Sequence, residues 1–119
     1  MAGTIIADTL THSTAGSVTT DYVVNGSAKA WVQTASGAAP SGSLNISGVV
    51  DNSTGNYTVS FSSAMANDDY SPTATRIVPG ANRDVGFLSN ATTNVVIYSS
   101  TASAAEDATC FSTVHGDLA

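Results

Sequence analysis

The chain holds one cysteine, one tryptophan, one glutamate and three basic residues, and it has no long apolar run. With Cys110 alone, no intrachain disulfide can staple the fold. A nucleophilic thiol needs a basic partner, and His115, five residues on, falls on the opposite face of a strand. Cys110 is therefore expected to be a small buried hydrophobe. Lys29, Arg76 and Arg83 against nine acidic residues give a net charge of −6. Three scattered cations cannot displace the counterions of a duplex, so nucleic acid is excluded as a partner, and anionic membrane surfaces are disfavoured alike. No segment is long and apolar enough for membrane insertion. MAGTIIADTL has neither a positive n-region nor an apolar h-region, so no signal peptide is expected and synthesis is assigned to the cytoplasm.

Catalytic groups are as scarce as cations. Glycan hydrolysis needs two carboxylates across a cleft, yet Glu106 is the sole glutamate and the aspartates sit mostly in turn contexts. The two histidines lack zinc-ligand spacing, the glycines are dispersed, and Asp68-Asp69 lacks the spacing of a calcium loop. No enzyme, cofactor or metal site is expected. Five Asn-x-Ser/Thr triplets reflect a chain in which Ser and Thr exceed a quarter of all residues.

What is present is β patterning over a thin supply of apolar residues. Of the 42% hydrophobic residues, 18 are alanines, and Leu, Ile, Val and Phe together number 24. That is little for one domain of 119 residues, and burial between subunits is the natural remedy. Tyr57, Val59 and Phe61 alternate with Thr58, Ser60 and Ser62, one core face and one wet face. Leu44 and Ile46 alternate with Asn45 and Ser47, so the two runs read as a hairpin through Asp51-Asn52-Ser53-Thr54-Gly55. A second hairpin is expected from Val18–Val24 and Ala28–Thr34 around Asn25-Gly26. Further strands are read at Ser71–Val78, Val85–Leu88, Asn94–Tyr98 (apolar on both faces) and Thr109–Val114, with a turn at Pro79-Gly80-Ala81-Asn82. Helical periodicity is missing. The fold class is all-β: an antiparallel β-sandwich or small jelly roll with an extended N-terminal arm.

The arm is residues 1–17 and the β-sandwich domain residues 18–119. Residues 3–10 read as a strand or extended arm, either adding to a neighbour's sheet or serving as the domain's first strand, with Ile5, Ile6 and Leu10 as attachment residues. In the strand from Ala28, the small residues Ala28 and Ala30 invite close approach of another sheet or a symmetry axis. On its other face Trp31 either covers the domain's apolar side or stacks on a sugar. Tyr70 is the second candidate glycan contact.

Three blocks carry a resemblance: Gly26-Ser-Ala-Lys-Ala-Trp-Val32, Asp51–Tyr70 and the ending His115-Gly-Asp-Leu-Ala119. Their order and spacing resemble a family of virion proteins from tailed bacteriophages, especially phages of marine and freshwater bacteria. There a short N-terminal region, here Gly3-Thr-Ile-Ile-Ala-Asp-Thr9, precedes an N-G-x-A-K-A-W-V block, then D-x-G-x-G-x-Y-T-V-x-F-x-x-A-M and a Gly-Asp-Leu-Ala tail. The resemblance covers roughly half the chain. It implies a virion structural protein, a homotrimeric short fibre or fibre tip for virion assembly and host-surface contact. The alternative within the class is a capsid decoration protein. Implied partners are further copies of the chain, other virion proteins through the arm, and a host glycan. A monomeric carbohydrate-binding β-sandwich built around Trp31 is the reading from a different class.

Overall fold

The computed structural model describes residues 3–35, 40–77 and 83–119. Two four-stranded antiparallel sheets pack as a sandwich. The first has the order β4 (Pro40–Leu44), β3 (Ala28–Thr34), β10 (Thr109–His115), β7 (Ser71–Ile77). The second has the order β5 (Ile46–Ser53), β6 (Asn56–Phe61), β9 (Asn94–Thr101), β8 (Arg83–Ala91). The expected turn at residues 79–82, Val78 and part of the loop at 34–43 lie outside the described residues. The rest of that loop supplies β4.

The core follows the alternation. Val59 and Phe61 of β6 pack in one core with Ala30 and Val32 of β3, Cys110 and Val114 of β10, and Val95 and Ile97 of β9, and Tyr57 of β6 is buried on the same strand face. β9 is not buried on both faces as its composition suggested. Val95, Ile97 and Ser99 are buried while Val96 and Tyr98 are half-exposed, because none of the described elements packs over the outer side of this sheet. Pro72 fits because β7 is an edge strand, where a missing N–H breaks no ladder bond on its open side.

The hairpin β5–β6 forms with Gly55 at φ 69°, but its turn is Thr54-Gly55 alone, because Asp51, Asn52 and Ser53, expected in the turn, continue β5. Its first strand begins only at Ile46. Leu44 belongs to β4 in the other sheet, and Asn45, at φ 56°, turns the chain between the two in a single residue. Asparagine tolerates that left-handed geometry better than other side chains. Its amide holds the corner by donating to Ser63 O at 3.1 Å and accepting from Ser63 N at 2.7 Å.

The blocks at 57–70 and 115–119 meet in space. Met65 pairs with Leu118 as an isolated antiparallel bridge, Ala66 N–H donates to Asp117 O at 2.8 Å, and Ala119 N–H donates to Ala64 O at 3.0 Å. Gly116 lies against Tyr70, whose ring meets Phe61 edge-on at 5.8 Å. A Cβ at position 116 would come within 2.6 Å of Tyr70 Cβ.

The N-terminal part departs from the sequence reading. Residues 18–24 form no strand paired to β3, and the residues read as a linker form a hairpin instead. β1 (Thr9–His12) pairs with β2 (Gly16–Thr19), and α1 (Thr20–Gly26) follows. Two local devices explain this. Gly16 adopts φ 94°, and His12 Nδ1 accepts the N–H of Ala15 at 3.1 Å and of Thr14 at 3.3 Å, closing the tight turn. Asp21 lies in the first turn of α1, where a negative charge suits the dipole. At the other end Lys29 Nζ and Ser27 Oγ both donate to Val24 O, so Asn25-Gly26 ends a helix rather than forming a hairpin turn. The radius of gyration is 16.8 Å and the extents are 51 × 31 × 26 Å. A compact chain of this length would have about 13–14 Å, so the molecule is elongated.

Among the described glycines, Gly55 is the most closely enclosed. A Cβ there would come within 2.2 Å of Ser99 O, in a left-handed conformation besides. Gly55→Ala is expected to cost at least about 2 kcal/mol in urea unfolding, whereas Gly48→Ala, with nothing within 4 Å of its Cβ, stays within about 0.5 kcal/mol.

Candidate functional site

The surface with the clearest unmet physical demand is the N-terminal module, residues 3–27. None of its described residues is buried, while Ile5 (91%), Ile6 (92%), Leu10, Val18, Tyr22, Val23 and Val24 all expose much of their side chains. Ile5, Ile6, Ala7, Leu10, Thr20 and Val24 line an open concavity of about 450 Å³. Asp8 O accepts Thr20 N–H at 3.0 Å, which ties the extended segment to the start of α1 and shapes one wall. A two-stranded hairpin and a seven-residue helix are each too short to be stable in isolation. The module has the chemistry of an element that completes itself against another surface.

The other candidate residues separate. Ala28 is half-buried at a register shift of β3 against β10. Ala30 is fully buried in the sandwich core, so it is not an intersubunit contact. Tyr70 is 5% exposed, and its hydroxyl lies 3.0 Å from Ala91 O and 2.8 Å from Asn94 O and accepts Ala91 N–H at 3.2 Å. Burial pushes its pKa up. Such a phenol seals a corner of the sandwich and is not a glycan contact. Trp31 does not cover the apolar side of the domain. It faces outward from the first sheet, 41% exposed, with the far edge of the indole over Gly42 of β4.

The acidic groups that could serve chemistry hold the fold. Asp107 Oδ1 accepts the N–H of Gly55 at 2.7 Å and the hydroxyl of Tyr57 at 2.9 Å. These bonds hold its carboxyl below the usual range, the Gly55 N–H contributing most, while burial keeps the Tyr57 hydroxyl protonated far into alkali. Glu106 pairs with Arg76 at 2.5 Å, and Arg76 Nη1 also donates to Ser100 O at 2.7 Å and Asp84 O at 3.2 Å. Asn67 Oδ1 accepts Asp69 N–H at 3.0 Å, closing the turn with the paired aspartates. Cys110 is fully buried and its thiol pKa is raised, chiefly by desolvation. Among the described residues no cluster of His, Cys, Asp and Glu could hold a metal ion, and no helix is long and apolar enough to cross a membrane.

Sequence reasoning singled out Ile5, Ile6 and Leu10 and passed over the helical residues Tyr22, Val23 and Val24, which are exposed apolar side chains of the same module. The signal was local: Asp21 at one end of the segment and the Ser27–Lys29 cap at the other. Comparison of the chain with family models, curated proteins and solved structures yields no match.

The Asp107 interactions carry a pH dependence of definite sign. The folded carboxyl is depressed below the ordinary 3.8, so its contribution is full above that value and is lost as pH falls through the lower folded pKa. Asp107→Asn is expected to melt below the parent at neutral pH. The gap between the two melting curves should narrow progressively below about pH 4.

Proposed function

We propose that this chain is a structural protein of a tailed-bacteriophage virion, a homotrimeric short fibre or fibre tip attached to the particle through its N-terminal module. The observation that carries the reading is that module, with seven exposed large apolar side chains and no buried residue beside a separately cored sandwich. Attachment to another virion protein would bury that surface, and association of sandwiches would compensate for a core drawn from few large side chains. The motif blocks lend support as well. In this chain the blocks that carry the resemblance to phage virion proteins build the Tyr70–Gly116 corner and the cap at the end of α1, so they are parts of its framework.

A capsid decoration protein would use the same anchoring principle, and copy number separates the two. A fibre is present in few copies per particle and a decoration protein in hundreds.

Quantitative mass spectrometry of purified particles is expected to find the chain as a virion component at low copy number. Its absence from purified particles would overturn the assignment. Ile5→Asp with Ile6→Asp is expected to reduce incorporation into particles at least tenfold. The melting curve of the isolated protein should be unchanged, because both side chains are already solvated.

A further inference from the structure

The outer face of the first sheet brings together side chains that no core requirement explains. Cross-strand pairing sets two rows. Leu44, Trp31, Thr113 and Thr73 form one, and Gly42, Gln33, Phe111 and Thr75 the next. Neither row contains a charged residue. Trp31 and Leu44 are 41% and 49% exposed, and Phe111, Gln33 and Thr113 are half-exposed. The Thr73 and Thr113 hydroxyls bond to each other at 2.7 Å, so one hydroxyl hydrogen and the remaining oxygen lone pairs point to solvent. Beside them, Thr73, Thr75, Phe111 and Thr113 line a shallow depression of about 120 Å³. At Gly42 an added Cβ would come within 3.3 Å of the indole, so this glycine leaves the room in which Trp31 leans along the sheet.

We propose that this face is a binding platform for a neutral glycan. A pyranose ring has an apolar C–H face and a rim of hydroxyls, and it is matched by an aromatic surface flanked by uncharged donors and acceptors. Trp31 supplies the stacking surface, Phe111 a second apolar contact in the adjacent row, and Gln33 with the Thr73–Thr113 pair the hydrogen bonds. Lys29, on the same face of β3, spends its ammonium on Val24 O and Ser27 Oγ, so the two rows offer a sugar only uncharged contacts, which suits a neutral sugar better than an acidic one. A nucleic acid is disfavoured because one ammonium, already bonded to Val24 O and Ser27 Oγ, is far short of a phosphate-binding footprint. The platform deepens the host-contact part of the proposed function and rests on it only for its biological setting.

Trp31 is the sole tryptophan, so its emission reports on this face alone. The full chain is titrated with neutral hexose and N-acetylhexosamine oligosaccharides up to about 10 mM, a range suited to a shallow single-sugar site. A saturable change in emission is expected with at least one of them. Thr73→Val with Thr113→Val, which leaves the reporter in place, should weaken that titration at least fivefold without changing the melting curve. Trp31→Phe should retain the fold and weaken glycan retention on an affinity column. A flat emission titration with every oligosaccharide overturns the proposal. So does an emission that varies with protein concentration and is insensitive to sugar, which would make the face an interface between copies of the chain. Either failure leaves particle composition untouched, and absence from particles leaves the titration untouched.

Discussion

The hydrogen bonds converging on Asp107 Oδ1 fix how the two sheets meet at one end of the sandwich. Tyr57 is fully buried, yet it carries a hydroxyl that must be satisfied, and Asp107 on the crossing from β9 to β10 is the group that reaches it. The same oxygen accepts from Gly55, which draws the β5–β6 turn against that crossing so closely that Ser99 N–H donates to Gly55 O at 2.7 Å and Glu106 N–H to Ser99 O at 3.0 Å. Only glycine fits there. A chain with few large apolar residues cannot rely on core volume alone to hold its sheets in register, and these end contacts supply directional constraint where burial is limited. Tyr70 does the corresponding work at another corner, where its hydroxyl closes the β8–β9 turn and its ring backs onto Gly116.

The body of this fold was legible because alternation is a strong signal when the two faces differ sharply. β6 and β10 bury every second residue throughout and β9 does so as far as Ser99, and the strands read at 71–78 and 109–114 fall within two residues of those observed. What sequence could not give was the partition of strands between sheets. Leu44 and Ile46 look like one strand because their alternation is unbroken across Asn45. The single left-handed residue that separates them leaves no compositional trace beyond an asparagine.

The N-terminal module was misread for a physical reason. Val18–Val24 is rich in β-branched residues and Asn25-Gly26 suits a hairpin, so every local propensity pointed to strands. The capping interactions of α1 and the His12 turn are specific and short-range, and they outweigh propensities worth only a few tenths of a kcal/mol per residue. Exposed on every side, the module also lacks the one-sided burial that makes a pattern readable.

Trp31 illustrates the rule that decides which face of a strand turns inward. By size, the face with tryptophan should be buried, since a large aromatic gains about 2–3 kcal/mol on leaving water. Its companions on that face are Lys29 and Gln33, and burying an ammonium without a partner costs several kcal/mol, with a further penalty for an unpaired amide. The opposite face offers Ala30, Val32 and Thr34, and the only polar group among them is satisfied. Thr34 Oγ1 donates to Cys110 O at 3.3 Å and accepts Cys110 N–H at 3.2 Å. The sum over the strand, and not its largest member, sets the orientation. Gly42 on the neighbouring strand then gives the outward indole a surface to lean on, so the register that protects the core also presents an aromatic ring to solvent.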